Sequence, residues 1–271
     1  MNPLDFLRLT PRTNCGECGH PTCLAFAVAV TKGGADPGRC PHLAPATLPD
    51  SVRPAPGDGL AQVDRGQDGR DLALVAHLKN KVRALDYAAI APRLGAEFVP
   101  GPPPVLRFSY LGREVVLGGE VARLAEGALI DPRDQILLYN YVASGGGPAP
   151  LEAWVGMESL PNSMAKVRTL AAYCEQPLAR HFSGRPAVLA RACGLVGGRS
   201  GPEAQSADQG LVIPVLPHLP VYLLFWDEEL AEGFASRVKV LFDQRVLDYL
   251  DIESLVFASE RMAERLMELA A

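Results

Sequence analysis

The chain has 271 residues, 48% of them hydrophobic, with a net charge of -5. That is enough apolar material for one large domain or two smaller ones. The near-neutral, slightly acidic balance excludes the basic face that a nucleic-acid binder needs to neutralise phosphates.

The charge is uneven. From Asp227 onward there are 11 acidic and 5 basic residues. The reading is a solvated helix face, unsuited to polyanionic partners. The opening Met1-Asn2-Pro3-Leu4-Asp5 lacks the basic start and apolar run of a secretory signal. The apolar run Leu24–Val30 is too short for a bilayer, which takes about 20 residues. The expectation is a soluble, cytoplasmic protein without an integral membrane segment. In a reducing compartment its six cysteines are better metal ligands than disulfide partners.

Residues 1–43 form one compositional unit holding Cys15, Cys18, Cys23 and Cys40. A short helix is predicted at its start, with Asn2 as cap and Pro3 at the first helical position. A second helix is predicted from Cys23 to about Lys32, ended by Gly33-Gly34. Residues 44–70 read as a linker, because Pro45, Pro49, Pro54, Pro56 and four glycines leave little room for regular structure.

Residues 71–271 read as an α+β domain of helices and antiparallel strands. Asp71 is placed as the cap of a helix running to about Ile90, with Leu72, Val75, Leu78, Val82 and Leu85 on one face. Val105–Leu111 and Arg113–Leu117 around Gly112 predict a β-hairpin. Helices are predicted over Asp134–Val142, Ser163–Phe182, Pro186–Cys193 and Ile252–Leu269. Leu211–Leu216, Val221–Trp226 and Val238–Phe242 read as strands.

The chemistry lies in the N-terminal spacing C-x2-C-x4-C-x16-C, formed by Cys15, Cys18, Cys23 and Cys40. Three close cysteines can wrap three corners of a cubane, and a distant one supplies the fourth. Gly16 and Gly19 let the backbone turn tightly, leaving N–H groups to face the sulfurs. Cys23 at a helix start places thiolate charge at the positive end of the dipole. Phe6, Phe26, Ala27 and Leu43 are placed as shielding residues. The pattern points to one [4Fe–4S] cluster. Zinc, which favours two separated pairs, and free thiols stay open as alternatives. His20 and His42 read as neighbours of the site, not ligands.

The stretch Thr13–Leu43, reading TNCGECGHPTCLAFAVAV, then KGG, then CPHL, resembles the four-cysteine [4Fe–4S] module of corrinoid iron–sulfur protein large subunits and of the B subunit of the Rnf complex. The resemblance implies a low-potential cluster in anaerobic metabolism, with a protein redox partner such as a corrinoid protein or a low-potential donor. Asp134-Gln135-Ile136-Leu137-Leu138-Tyr139-Asn140-Tyr141, Trp154-Val155, Leu224–Glu229 and Val240–Asp243 resemble the DUF3786 family, which brings no established catalytic residues.

Other candidates are weaker. Cys174 and Cys193 lie on apolar helices and read as core. Gly194–Gly201 is glycine-rich but lacks a phosphate-binding fingerprint. Asp227, Glu228 and Glu229, together with Asp243 and Arg245, either line a pocket or cap a helix. The leading function is low-potential electron transfer or redox support. The alternatives are a redox enzyme with its active site in 71–271, and a metal-stapled interaction module.

Overall fold

A computed structural model describes residues 2–31, 35–43, 59–202, 207–229 and 232–270, the backbone alone over 59–70. The expected helix stop at Gly33-Gly34 and the stretch 44–58 lie outside the described residues. The chain divides into two compact units, Met1–Leu72 and Ala73–Ala271.

In the first unit, α1 (Pro3–Leu7) is capped by Asn2, whose side chain accepts from the Asp5 N–H. Helix α2 (Cys23–Thr31) buries Cys23, Phe26, Ala27 and Val30, the i, i+3, i+4, i+7 spacing of one helical face. Helix α3 runs Gly59–Arg83 and so begins within the stretch expected to be irregular. The last proline before it is Pro56, and Gly66 and Gly69 are tolerated inside a helix at about 1 kcal/mol each. The helix stops at Arg83, short of Ile90. Asp86 then caps the separate turn α4 (Tyr87–Ile90), accepting from the Ala89 N–H. On α3, Val75, Leu78 and Val82 are buried as expected, while Leu72 is exposed.

The second unit is α+β with two antiparallel sheets. The first is a meander of β1 (Glu97–Val99), β2 (Val105–Tyr110), β3 (Arg113–Leu117) and β4 (Ala122–Leu124). The β2–β3 hairpin turns at Leu111 and Gly112, both at positive φ, the conformation that matches strand twist in a two-residue loop. At Gly112 a Cβ would also collide with the backbone of Val196.

The second sheet has the order β5-β9-β8-β7-β6: β5 (Trp154–Gly156), β6 (Arg199–Ser200), β7 (Gln209–Leu216), β8 (Leu219–Trp226) and β9 (Arg237–Asp243). Its inner face carries Ile213, Val221, Leu223, Phe225, Val240 and Phe242, all fully buried. Helices α7 (Gln176–Phe182), α8 (Pro186–Leu195) and α9 (Ile252–Leu269) pack against this sheet.

The single helix expected over Ser163–Phe182 is three pieces. These are α6 (Met164–Leu170), a π-helical turn Ala171–Glu175, and α7. Pro177 supplies the reason: it has no N–H to continue the i→i−4 ladder, and the Gln176 N–H reaches back to the Ala171 carbonyl instead.

Helix α5 (Pro132–Ala143), capped by Asp131, carries the motif around Tyr139. Every polar side chain of that motif is used in packing. Asp134 is buried and accepts from Arg261 at 2.7 and 2.9 Å and from the Tyr110 hydroxyl at 2.9 Å. The Gln135 amide donates to the Ile130 carbonyl, and Asn140 donates to Ser254 of α9. Tyr139 donates to the Gly118 carbonyl and Tyr141 to the Leu94 carbonyl. Burial, then the Asp134 charge, pushes the Tyr110 phenol far above its ordinary range, so it stays a donor.

Removing Asp134 leaves the buried Tyr110 hydroxyl without its acceptor and Arg261 with Glu264 as its remaining partner. Asp134→Ala is therefore expected to cost about 2–3 kcal/mol. Urea unfolding followed by circular dichroism reads this; a loss under 1 kcal/mol would show that the Asp134–Arg261 pair is not a staple of the domain.

Candidate metal centre

Four thiols lie in the first unit. Cys18, Cys23 and Cys40 are buried and Cys15 is exposed. The backbone that carries them is bent sharply. Gly16 and Gly19 have φ of 77° and 83°, and the Gly19 N–H closes a turn on the Gly16 carbonyl at 2.9 Å. Gly19 has room for a Cβ, with nothing closer than Arg39 at 3.8 Å, so its requirement is conformational.

Asn14, to which the spacing pattern assigns no role, ties this loop to α2. It sits in the left-handed region at φ 52°, and its Oδ1 accepts from the Cys23 N–H at 2.8 Å. Asparagine is one of the few non-glycine residues that take this conformation readily, because its amide can bond locally. Thr22 is the α2 cap: its hydroxyl accepts from the Ala25 N–H at 3.0 Å. The expectation that loop N–H groups are left free for sulfur is thus not met at Gly19 and Cys23, whose N–H groups are used within the loop.

Apolar residues close over the buried thiols. Phe6, Phe26, Ala27, Val30 and Leu43 form one cluster with Cys18 and Cys40. The Phe6 and Phe26 rings meet edge-on at 6.0 Å, and His20 packs on Phe26 at 5.5 Å. On the Cys15 side the surroundings are polar and open. His42 Nε2 and Glu17 Oε2 lie 2.9 Å apart, both side chains about half exposed.

The chemistry of the donor set fits an iron–sulfur group, which cysteine thiolates hold. Among the described residues, the three-donor group with all ligand atoms within 4.8 Å is Cys15, Glu17 and His42.

The remaining sequence candidates resolve as structure. Cys174 and Cys193 are buried in the core of the second unit. Burial pushes the Cys174 thiol far up and the Cys193 thiol up to about 12. The glycine-rich run ends α8 and enters β6, which pairs with β7. Asp227–Glu229 and Asp243–Arg245 do not share a pocket. They follow opposite ends of the antiparallel β8–β9 pair, about 20 Å apart at strand rise. Nor does Asp227 cap a helix. It follows β8 and accepts from the Gly184 and Glu228 N–H groups and the Ser236 hydroxyl. Burial opposes its ionisation, but these donors outweigh that and hold its carboxyl below the usual range. Asp243 accepts from the Arg245 N–H, and Arg245 donates to the Ala149 carbonyl.

The Asn14 tie predicts a graded series. Asn14→Ala loses the acceptor and strains the left-handed backbone, at a combined cost of about 2 kcal/mol. Asn14→Gly loses only the acceptor. Iron retained per chain after mild heating should fall from wild type to glycine to alanine; an alanine variant equal to wild type would remove Asn14 from the site.

The comparisons with known proteins follow the two units. Residues 11–42 match a family model described as "Putative Fe-S cluster". The corrinoid/iron-sulfur protein large subunit of Moorella thermoacetica is 46% identical over 46 residues, 17% of this chain and 10% of that protein. The gamma 2 subunit of the acetyl-CoA decarbonylase/synthase complex of Methanosarcina thermophila is 45% identical over 42 residues, 16% of this chain and 9% of that protein. The B subunit of the ion-translocating oxidoreductase complex of Alcanivorax borkumensis is 32% identical over 71 residues, 26% of this chain and 36% of that protein. The chain thus spans about a tenth of the length of the first two relatives and about a third of the last. No solved structure matches it. Residues 86–265 match the model of the domain of unknown function DUF3786. The chain belongs to the DUF3786 family and carries an iron–sulfur-binding module at its N-terminus.

Proposed function

We propose that the chain is a cytoplasmic [4Fe–4S] protein of anaerobic metabolism that passes electrons at low potential, with Cys15, Cys18, Cys23 and Cys40 as its four ligands. The observation that carries this reading is a set of four thiols in one small unit, three of them buried, Cys18 and Cys40 within an apolar cluster, and one open to solvent. The group supplies one-electron chemistry when bound.

The chain's own residues divide the labour. Phe6, Phe26, Ala27 and Leu43 exclude water from Cys18 and Cys40. Exposure at Cys15 leaves a short path to a docked partner. Residues 1–43 carry four basic and three acidic side chains, which do little to offset thiolate charge, and exposure with net negative charge lowers a potential. The relatives are named as subunits of larger assemblies, which supports a protein partner, a corrinoid protein or a low-potential donor. Among the described residues no helix is long and apolar enough to cross a membrane. We assign residues 71–271 to docking.

A second reading places an active site in those residues. It is favoured by a cleft of about 420 Å³ beside the start of β9, where β5 does not reach, lined by Glu175, Gln176, Ala179, Trp226, Arg237 and Lys239. Burial raises the Glu175 carboxyl, which accepts from the Val240 N–H at 3.0 Å. A bound cofactor in purified protein, or turnover of a small substrate, distinguishes this reading.

Alanine substitution at Cys18, Cys23 or Cys40 should abolish the cluster, measured as iron and acid-labile sulfide after anaerobic purification, and at Cys15 should alter its EPR line shape. Cys174→Ala and Cys193→Ala should keep full iron. Loss of iron in the Cys174 variant with Cys40→Ala intact would overturn the ligand set. Residues 71–271 expressed alone should unfold cooperatively without iron; a non-cooperative fragment would mean that the two parts form one folding unit.

A further inference from the structure

The four thiols are not equivalent. Cys18 and Cys40 are packed among Phe6, Phe26, Ala27, Val30 and Leu43, and none of those five side chains can replace a thiolate. Cys23 is buried at the start of α2, its N–H held by Asn14. Cys15 is exposed, and two further donors stand beside it. Glu17 lies between the first two cysteines in sequence, and His42 lies two residues past the fourth. The fold brings them together across 25 positions. A carboxylate oxygen of Glu17, a ring nitrogen of His42 and the Cys15 sulfur all lie within 4.8 Å of one another.

Both side chains stand in solvent. They are 55% and 47% exposed, and the contact that joins them is a single hydrogen bond of 2.9 Å. A rotamer change costs an exposed side chain little, and 4.8 Å is within the sweep of a glutamate or histidine. Iron in such clusters accepts imidazole in place of thiolate, and carboxylate is an ordinary ligand for a first-row metal.

Resting on the reading that the four cysteines hold an iron–sulfur cluster, we infer that Glu17 and His42 are reserve ligands at the Cys15 corner. When the Cys15 thiolate leaves its iron, one of the two takes the vacated position. The exchange is a substitution: an iron–sulfur bond is replaced by an iron–oxygen or iron–nitrogen bond, the released thiolate takes a proton from water, and no electron moves. The corner iron is thereby retained at the one place where solvent and oxidants reach it. The Cys18 and Cys40 corners, walled by Phe6, Phe26 and Leu43, have neither the exposure nor the substitutes.

The test compares iron and sulfide per chain, with EPR of the dithionite-reduced protein, in anaerobically purified wild type, Cys15→Ala, Cys15→Ala/Glu17→Gln/His42→Ala and Cys18→Ala. Cys15→Ala is expected to keep four irons with an altered EPR line shape. The triple variant should fall to three irons or fewer, and Cys18→Ala should lose the cluster. A second measurement keeps Cys15 in place: Glu17→Gln/His42→Ala should lose its fourth iron to ferricyanide several-fold faster than wild type. The inference is overturned if Cys15→Ala loses as much iron as Cys18→Ala. It is also overturned if the triple variant keeps what Cys15→Ala keeps, or if the double variant resists ferricyanide as wild type does. Wild-type protein without iron and sulfide would instead overturn the underlying cluster reading.

Discussion

The N-terminal unit is constrained by the size of its core. Among the described residues, Phe6, Phe26, Ala27, Val30 and Leu43 are its buried hydrocarbon side chains in the cluster around Cys18 and Cys40. Fully burying each large one contributes about 1.5–3 kcal/mol, while ordering each residue of the loop costs about 1–2 kcal/mol. Units this small are held by metals or cross-links when the core falls short. The loop adds strain: Arg12 and Asn14 take positive φ as non-glycine residues, and Gly16 and Gly19 do so beside them. On the proposed ligand set, binding free energy at the thiols would serve as folding free energy. Site and fold are in this respect the same object.

The second unit is under no such constraint. Its core runs from Val75 on α3 to Leu266 on α9 and includes both sheets. The residues that mark the family are engaged in holding it together. Asp134, Tyr139, Asn140 and Tyr141 each close a hydrogen bond to a different element. The Trp226 ring is covered by the Arg237 guanidinium at 4.1 Å, a cation–π contact between neighbouring strands. A motif of this kind identifies a fold, and the chemistry must be sought elsewhere.

Much of this was legible in the sequence where the signal was local and strong. The cysteine spacing pointed to the iron–sulfur module that the family model matches over residues 11–42, Gly112 located the hairpin, and the bounds of α9 coincide with its apolar periodicity. The elements that were missed have physical reasons. Strands β1, β4 and β5 have three residues each and β6 two, too short to show alternation, and they exist because a longer neighbour pairs with them. The π turn at Ala171–Glu175 comes from one missing N–H at Pro177, which periodicity cannot register. Gly59–Arg83 is helical despite two interior glycines, since propensity is a weak prior. The placement of Asn14, Glu17 and His42 around the thiols depends on backbone turns and on a contact across 25 residues, and so was visible only in three dimensions.

The central claim is that four thiolates of the first unit hold a redox-active [4Fe–4S] cluster. Its most direct test is metal and acid-labile sulfide analysis of the anaerobically purified chain, with EPR before and after dithionite or Ti(III). The account predicts four irons and four sulfides per chain, EPR-silent as isolated and paramagnetic on reduction. One zinc per chain without sulfide, or an iron–sulfur group that Ti(III) fails to reduce, would contradict it.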